Sequence, residues 1–229
     1  RADDGGAVPA FVQRISDLLA TLIRNRVAPS GSYERFPSAS RRFPRRLAFP
    51  LCKRLPVNKT LDYIFPNPPK GLDPAALDPR AIPEHVAVIM DGNGRWAKKR
   101  ALNRLKGHKA GIEAVRETIR CASDLGVRYL TIYSFSTENW KRPQEEVVGL
   151  MDLFAKTMLA EVDGLHEENV RVRTIGDLSA LPAETREAFE EAWLKTRGNT
   201  GMTLVVAVNY GSRQEILHAA EACVRRALA

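Results

Sequence analysis

His85-Val86-Ala87-Val88-Ile89-Met90-Asp91-Gly92-Asn93-Gly94-Arg95-Trp96-Ala97 is the stretch on which the reading of this chain turns. Its first six residues are a short apolar run, the mark of a buried strand, and Asp91-Gly92-Asn93-Gly94 ends that run in a loop. Arg95, Lys98, Lys99, Arg100, Arg104, Lys106 and Lys109 follow, seven cations beside the single carboxylate of Asp91. Gly92 and Gly94 let backbone amides come close to an anion, and the start of the next helix adds its partial positive charge. Clustered Arg and Lys match a polyphosphate, Arg through forked contacts. A carboxylate at a strand end facing phosphates is a common way to hold Mg2+. The spacing is neither a Walker loop nor Gly-x-Gly-x-x-Gly. A solvated, charged helix face also carries such runs, so the pattern leaves both readings open for Lys98, Lys99 and Arg100. Asp91 differs from them, because a carboxylate ending a buried strand needs a partner or a metal.

Outward from that stretch, strands and helices alternate. Ile112, Val115, Ile119, Ala122 and Leu125 recur at helical spacing from Gly111 to Leu125, closed by Gly126. Tyr129 to Phe135 is β-branched and aromatic, a second strand. Pro143 opens a helix with Glu145 and Glu146 in its first turn and a buried stripe of Val147, Leu150, Met151, Phe154 and Met158. Val170 to Ile175 is a third strand with one wetter face. A helix over Pro182–Lys195 follows, then a fourth strand over Thr203–Val208. A last helix runs towards Leu228 behind the capping box of Ser212 and Glu215. This order predicts an α/β domain with a largely parallel central sheet and helices on both faces. Ligands of such sheets bind at the carboxyl ends of the strands, which puts the loops at Asp91, Ser136 and Asn209 on one rim.

The chain has 229 residues, 44% of them hydrophobic and 27% charged, an ordinary globular composition with a net charge of +8. Residues 1–80 carry 14 basic and 7 acidic side chains, so almost all of the excess lies there. That distribution argues against a nucleic-acid binder. Residues 1–80 read as a basic, Pro/Arg-rich N-terminal extension, and residues 81–229 as the folded domain. Frequent prolines and acid-poor Arg/Ser composition fit either an organelle transit peptide, plastid among them, or a plain linker. A cytoplasmic or endoplasmic-reticulum-surface location stays open beside it. A short amphipathic helix over residues 11–23 fits a surface anchor or partner contact. No run of about 18 apolar residues crosses a bilayer. Cys52, Cys121 and Cys223 are widely spaced, which predicts small buried or half-buried thiols rather than a disulfide scaffold or zinc site.

The 85–97 stretch resembles the signature of the cis-prenyltransferases, the family of undecaprenyl and dehydrodolichyl diphosphate synthases. Phe135-Ser136-Thr137-Glu138-Asn139-Trp140-Lys141-Arg142-Pro143 resembles that family's second motif. Gly176-Asp177, Gly198-Asn199-Thr200-Gly201 and Asn209-Tyr210-Gly211 resemble later ones, all within residues 82–228. The resemblance implies condensation of isopentenyl diphosphate with an allylic prenyl diphosphate such as farnesyl diphosphate, with Mg2+, to give a cis-polyprenyl diphosphate for polyprenol- or dolichol-type carriers. The alternative is a non-catalytic subunit of a heteromeric enzyme. By the same resemblance Asp91 and Asn93 are catalytic, with Asp91 the metal ligand and Asn93 and His108 near the departing diphosphate. Gly92, Gly94, Arg95 and Arg104 match the diphosphate cradle. Ser136, Asn139, Trp140 and Arg142 match a mobile loop that closes over the site and helps place the second substrate, and Trp96 and Phe135 are substrate-binding, to diphosphate or prenyl chain. It also implies a homodimer or heterodimer, peripheral membrane contact, and a C-terminal Arg/Ser/Gly/Glu motif with the last sheet strands. That motif and those strands are expected beyond Ala229, and the chain without them is expected to be weakly active or inactive alone.

Overall fold

The computed structural model describes residues 73, 78 and 81–228, so the 1–80 extension and the 11–23 helix lie outside the described residues apart from Asp73 and Asp78. Four strands, β1 (His85–Ile89), β2 (Tyr129–Ser136), β3 (Arg171–Ile175) and β4 (Thr203–Tyr210), form one sheet in the order β1-β2-β4-β3. Every pairing is parallel, as the strand–helix alternation requires. Between and after the strands lie α1 (Asn93–Lys98), α2 (Arg104–Asp124), α3 (Gln144–Glu167), α4 (Ala183–Thr196) and α5 (Ser212–Leu228). No described helix is long and apolar enough to cross a membrane.

Register explains where the core sits. Val86 pairs with Leu130, Leu130 with Leu204, and Leu204 with Val172, while Val88, Ile132 and Val206 form the next row. Partners across a parallel sheet share a face, so these rows are one continuous apolar surface. All seven of these side chains are buried. Val147, Leu150, Met151, Val162 and Leu165 of α3 recur at helical spacing and bury with them.

Coverage of the second face is less complete than expected. Along β1 and at Tyr129 that face is open among the described residues, with Ile89 73% exposed. The reason lies in α4, which packs on α3 and along the free edge of β3. There the Thr196 hydroxyl accepts the Val172 N–H at 2.9 Å and donates to the Ala192 carbonyl at 2.6 Å. Helix α5 buries none of its side chains.

Two boundaries also differ. The glycine stretch read as loop contains α1, and α2 starts at Arg104, about two turns before Gly111. Asn103 caps α2 by accepting the Lys106 N–H at 2.9 Å, which lets the cationic segment be helical without an apolar stripe of its own. Cys223 is exposed rather than half-buried, Cys121 is half-buried, and burial pushes the Cys121 thiol up to about 12.

Candidate functional site

The parallel sheet delivers Asp91, Ser136 and Asn209 to one rim, as the strand order dictates. Gly92 turns the chain out of β1 with φ +100°, a conformation costly for a residue with a Cβ, and begins α1. The Asp91 carboxylate accepts the Gly92 N–H at 2.6 Å and Arg95 Nη2 at 2.5 Å. Asp91 and Arg95 are 76% and 75% exposed, so the expected partner is present but the carboxylate stands in solvent with lone pairs to spare. The Arg104 side chain passes over Gly94, its Nε 3.8 Å from where a Cβ would stand. Trp96 faces away, its ring under the Arg100 guanidinium at 4.3 Å and its buried indole N–H without a hydrogen-bond partner.

Behind this loop, Asn93 is held by two glycines of α2. A Cβ on Gly107 would stand 2.2 Å from the Asn93 carbonyl oxygen, and one on Gly111 would stand 2.9 Å from Asn93 Oδ1. Helix α2 therefore presses directly on the backbone that carries Asn93. Gly107→Ala is expected to cost about 3 kcal/mol, the upper range for overpacking. Urea denaturation of the variant checks this.

The sequence reading left Glu146 without a role, and in the structure it is the centre of the cation cluster. Its side chain is 9% exposed. It accepts Arg142 Nη1 at 2.7 Å and Arg104 Nη1 at 3.4 Å, and His108 Nε2 lies 3.8 Å away. On the other side of the ring the Asn93 amide donates to His108 Nδ1 at 3.4 Å. That donor fits a neutral imidazole whose proton is on Nε2, facing the carboxylate.

Burial holds the His108 pKa below the usual histidine value. The Arg142 charge pushes the same way, against the opposing pull of Glu146. In acid the unfolded chain therefore binds a proton that the folded chain takes up only at lower pH. Stability is expected to be full above about pH 6.5 and to fall as pH drops from there towards the lowered folded value. Denaturation midpoints measured across that range for the wild type and His108→Gln check this, and the variant should lose the dependence.

The second rim segment is pinned from β4. Asn139 Oδ1 accepts the Ser136 N–H at 3.0 Å. The Trp140 indole donates to Asn209 Oδ1 at 2.8 Å, and the Asn209 amide donates to the Asp177 carbonyl at 2.7 Å. Phe135 packs edge-on against Trp140 and Phe154, with centroids 5.1 and 6.3 Å apart. Asn209, at φ +49°, therefore sets the position of Trp140 and was not among the expected site residues. Its place just after a strand in the Asn209-Tyr210-Gly211 turn was the available signal.

A cavity of about 420 Å³ opens at this rim and runs between α2, α3 and the buried face of the sheet. Asp91, Asn93, His108, Phe135, Ser136, Asn139 and Arg142 line it. Gly92, Gly94, Arg95, Trp96, Arg104 and Trp140 stand around the mouth or behind it without lining it. Of the apolar residues suited to a channel, Ile132, Leu150, Phe154, Met158, Leu204 and Val206 line the cavity, whereas Val147 and Met151 are buried elsewhere in the core. Among the described residues no three His, Cys, Asp or Glu side chains converge to hold a metal unaided. A cation here would need oxygens from a ligand beside Asp91, which suits Mg2+ and a diphosphate.

The chain is 55% identical over 145 residues to the isoprenyl transferase of Agrobacterium fabrum, covering 63% of this chain and 59% of that protein. It is 52% identical over 150 residues to the isoprenyl transferase of Clostridium tetani, covering 66% and 59%. Less than two thirds of each relative is thus spanned. The lavandulyl diphosphate synthase of Lavandula x intermedia, solved with dimethylallyl diphosphate, superposes with a TM-score of 0.61 at 34% identity over 62% of this chain and 61% of that one. A probable undecaprenyl diphosphate synthase from Campylobacter jejuni gives 0.52 at 29% identity over 62% of each chain. Residues 89–228, well over half of the chain, match the family described as "Putative undecaprenyl diphosphate synthase", and the chain belongs to that prenyltransferase family.

Proposed function

We propose that the protein condenses isopentenyl diphosphate with an allylic prenyl diphosphate to make a cis-polyprenyl diphosphate. The observation that carries this reading is the cavity, which has cations around its mouth and an apolar stretch behind them, before charged side chains return at Arg116, Arg120, Glu161 and Glu168. A substrate with a diphosphate head and a hydrocarbon tail matches that gradient. The relatives' name, isoprenyl transferase, favours a catalytic protein over a non-catalytic partner subunit.

In this reading the Gly92 and Gly94 amides, Arg95 and Arg104 hold the allylic diphosphate. Asp91 with diphosphate oxygens would hold Mg2+, and the ion would supply positive charge beside the leaving diphosphate. As the allylic carbon–oxygen bond breaks, negative charge grows on the diphosphate, and cations already fixed in place favour that state over the ground state. Asn93 and His108 contact the departing diphosphate. Ser136, Asn139, Trp140 and Arg142 place isopentenyl diphosphate, with Glu146 orienting Arg142 and Asn209 orienting Trp140. Phe135 joins the mouth to the apolar channel. A dimeric assembly and peripheral membrane contact belong to the same proposal, and the exposed Ile89 and the α5 side chains suit a covered surface. The 1–80 extension serves address or solubility.

The test is incubation of the protein in a full-length version, spanning the whole length of its relatives, with radiolabelled isopentenyl diphosphate, farnesyl diphosphate and Mg2+. A ladder of lengthened prenyl products supports the reading. Folded protein that yields no products overturns it.

A further inference from the structure

The charge of the folded domain is not spread evenly. Residues 91–109 carry seven cations against the one carboxylate of Asp91, whereas the remainder of residues 81–229 carries 14 basic and 19 acidic side chains. The rest of the domain is therefore net acidic, and the α1–α2 arm stands out from it as concentrated positive charge. Further along α2 the cations have acids beside them. Arg116 Nε donates to Glu161 Oε2 at 3.0 Å and its Nη1 to Glu113 at 2.6 Å, and Arg120 Nε lies 3.5 Å from Glu168 Oε1. On the arm itself, Arg95 pairs with Asp91 and Arg104 reaches Glu146. Lys98, Lys99, Arg100, Lys106 and Lys109 form no ion pair among the described residues. All five are exposed, and none lines the cavity.

Their placement works against the fold. Helix α2 runs for 21 residues with Arg104 and Lys106 in its first turn and no acid there. A helix N-terminus carries partial positive charge, so cations at that end are unfavourable. Lys98, Lys99 and Arg100 are consecutive, and like charges so close repel one another. Natural chains break such local rules mainly at functional sites. The arm also frames the mouth. The Arg104 side chain passes over Gly94, and His108, beside Lys109 in the chain, lines the cavity. By helical rise, Lys98 is roughly 8 Å along its axis from Asn93, and Lys106 roughly 3 Å from His108. Both steps fall within the Debye length of about 10 Å at 0.1 M salt.

We infer that Lys98, Lys99, Arg100, Lys106 and Lys109 form an electrostatic funnel that draws prenyl diphosphates from solution to the mouth without holding them once bound. The inference rests on the prenyl-transfer reading and adds the residues that set how fast its substrates enter. A diphosphate is multiply charged, so the acidic remainder of the domain repels it and the arm attracts it. Fields of this kind raise association rates by about 10–10³-fold. Because the five side chains stop outside the cradle, they act on entry and leave the bound complex as it is.

Stopped-flow binding of an n-alkyl diphosphate to the full-length version of the protein tests this, with ionic strength varied from about 0.01 to about 0.5 M. The arm variant combines Lys98→Gln, Lys99→Gln, Lys106→Gln and Lys109→Gln, and keeps Arg100 because it stacks on Trp96. A control variant combines Arg186→Gln, Arg197→Gln, Arg225→Gln and Arg226→Gln, which removes as much charge from α4 and the end of α5. At low salt the arm variant should associate about tenfold more slowly than wild type, and at high salt the two should converge. Its dissociation rate should match wild type. The slowing should be smaller for the alkyl monophosphate, which carries less charge. Its thermal midpoint should stay level or rise, since a cation leaves the first turn of α2. The control variant should associate as wild type does. Equal association of arm variant and wild type at low salt overturns the inference, and so does a change confined to dissociation. Weakened binding to phosphatidylglycerol vesicles, with association of the soluble diphosphate unchanged, overturns it in favour of a membrane contact. Wild type that binds no alkyl diphosphate overturns the inference together with the prenyl-transfer reading. Salt-independent association to a wild type that makes products overturns the inference alone.

Discussion

Asp91→Asn should lower turnover by about 10³-fold, the upper range for removing one preorganised charge-stabilising group. It should leave the fold and the thermal midpoint nearly unchanged. Both halves of this expectation come from the same geometry. Asparagine keeps an oxygen for the Gly92 N–H, so the turn into α1 survives. The ion pair with Arg95 joins two side chains that are both mostly in solvent, and such pairs contribute about 0–1 kcal/mol. The negative charge, however, is the feature that a Mg2+–diphosphate ligand would require, and among the described residues no group of three His, Cys, Asp or Glu side chains could hold the ion without it. Steady-state kinetics with the Mg2+ concentration varied, beside a thermal melt, checks the split. Equal turnover in the variant would remove Asp91 from the metal site.

Glu146→Ala should behave differently, losing both stability and activity. Removing one partner of a buried ion pair costs about 3–5 kcal/mol when the remaining charge is fully enclosed. Here Arg142 is partly exposed and Arg104 mostly so, and water meets part of the demand. The expected loss is therefore about 2 kcal/mol. Without the carboxylate, Arg104 and Arg142 repel each other and leave their set positions, and kcat/KM should fall by about 10²-fold, the cost of misplacing groups by an ångström. The pull that Glu146 exerts on His108 also disappears, so the histidine should titrate still lower than in the wild type. Urea denaturation, kinetics and an NMR titration of the His108 ring measure the three effects. Glu146→Gln, which retains the shape and an acceptor, should recover part of the stability and little of the cation placement.

The contrast between these two carboxylates shows what could be read locally. Asp91 ends an apolar run and precedes two glycines and a string of cations, so its position on a loop at a strand end is written in neighbouring residues. Glu146 looks like an ordinary first-turn acid of a helix behind Pro143. Its role depends on Arg104, 42 residues earlier in the chain, and on how α2 leans against α3. Gly107 looks like one more polar-segment glycine until α2 is placed against Asn93. The helical start at Arg104 was hidden for a related reason. Its first two turns carry cations and no apolar stripe, and Asn103 as the cap is a weaker signal than periodicity.

The sequence by itself determined four strands, their parallel sense, the rim on which Asp91, Ser136 and Asn209 meet, and the family signature around them. Those follow from short-range properties: apolar runs, helical spacing, glycine turns, and crossover connections too long for hairpins. Only the tertiary structure decided which cations share Glu146, which residue holds Trp140, how α4 seals the β3 edge, and where charge closes the apolar cavity. Each of those depends on side chains from separate elements arriving within a few ångströms. Trp140 and Asn209 are 69 residues apart, and Arg116 and Glu161 are 45 apart. No local pattern records such a meeting, because the packing angle between two helices is set by all of their shared side chains at once.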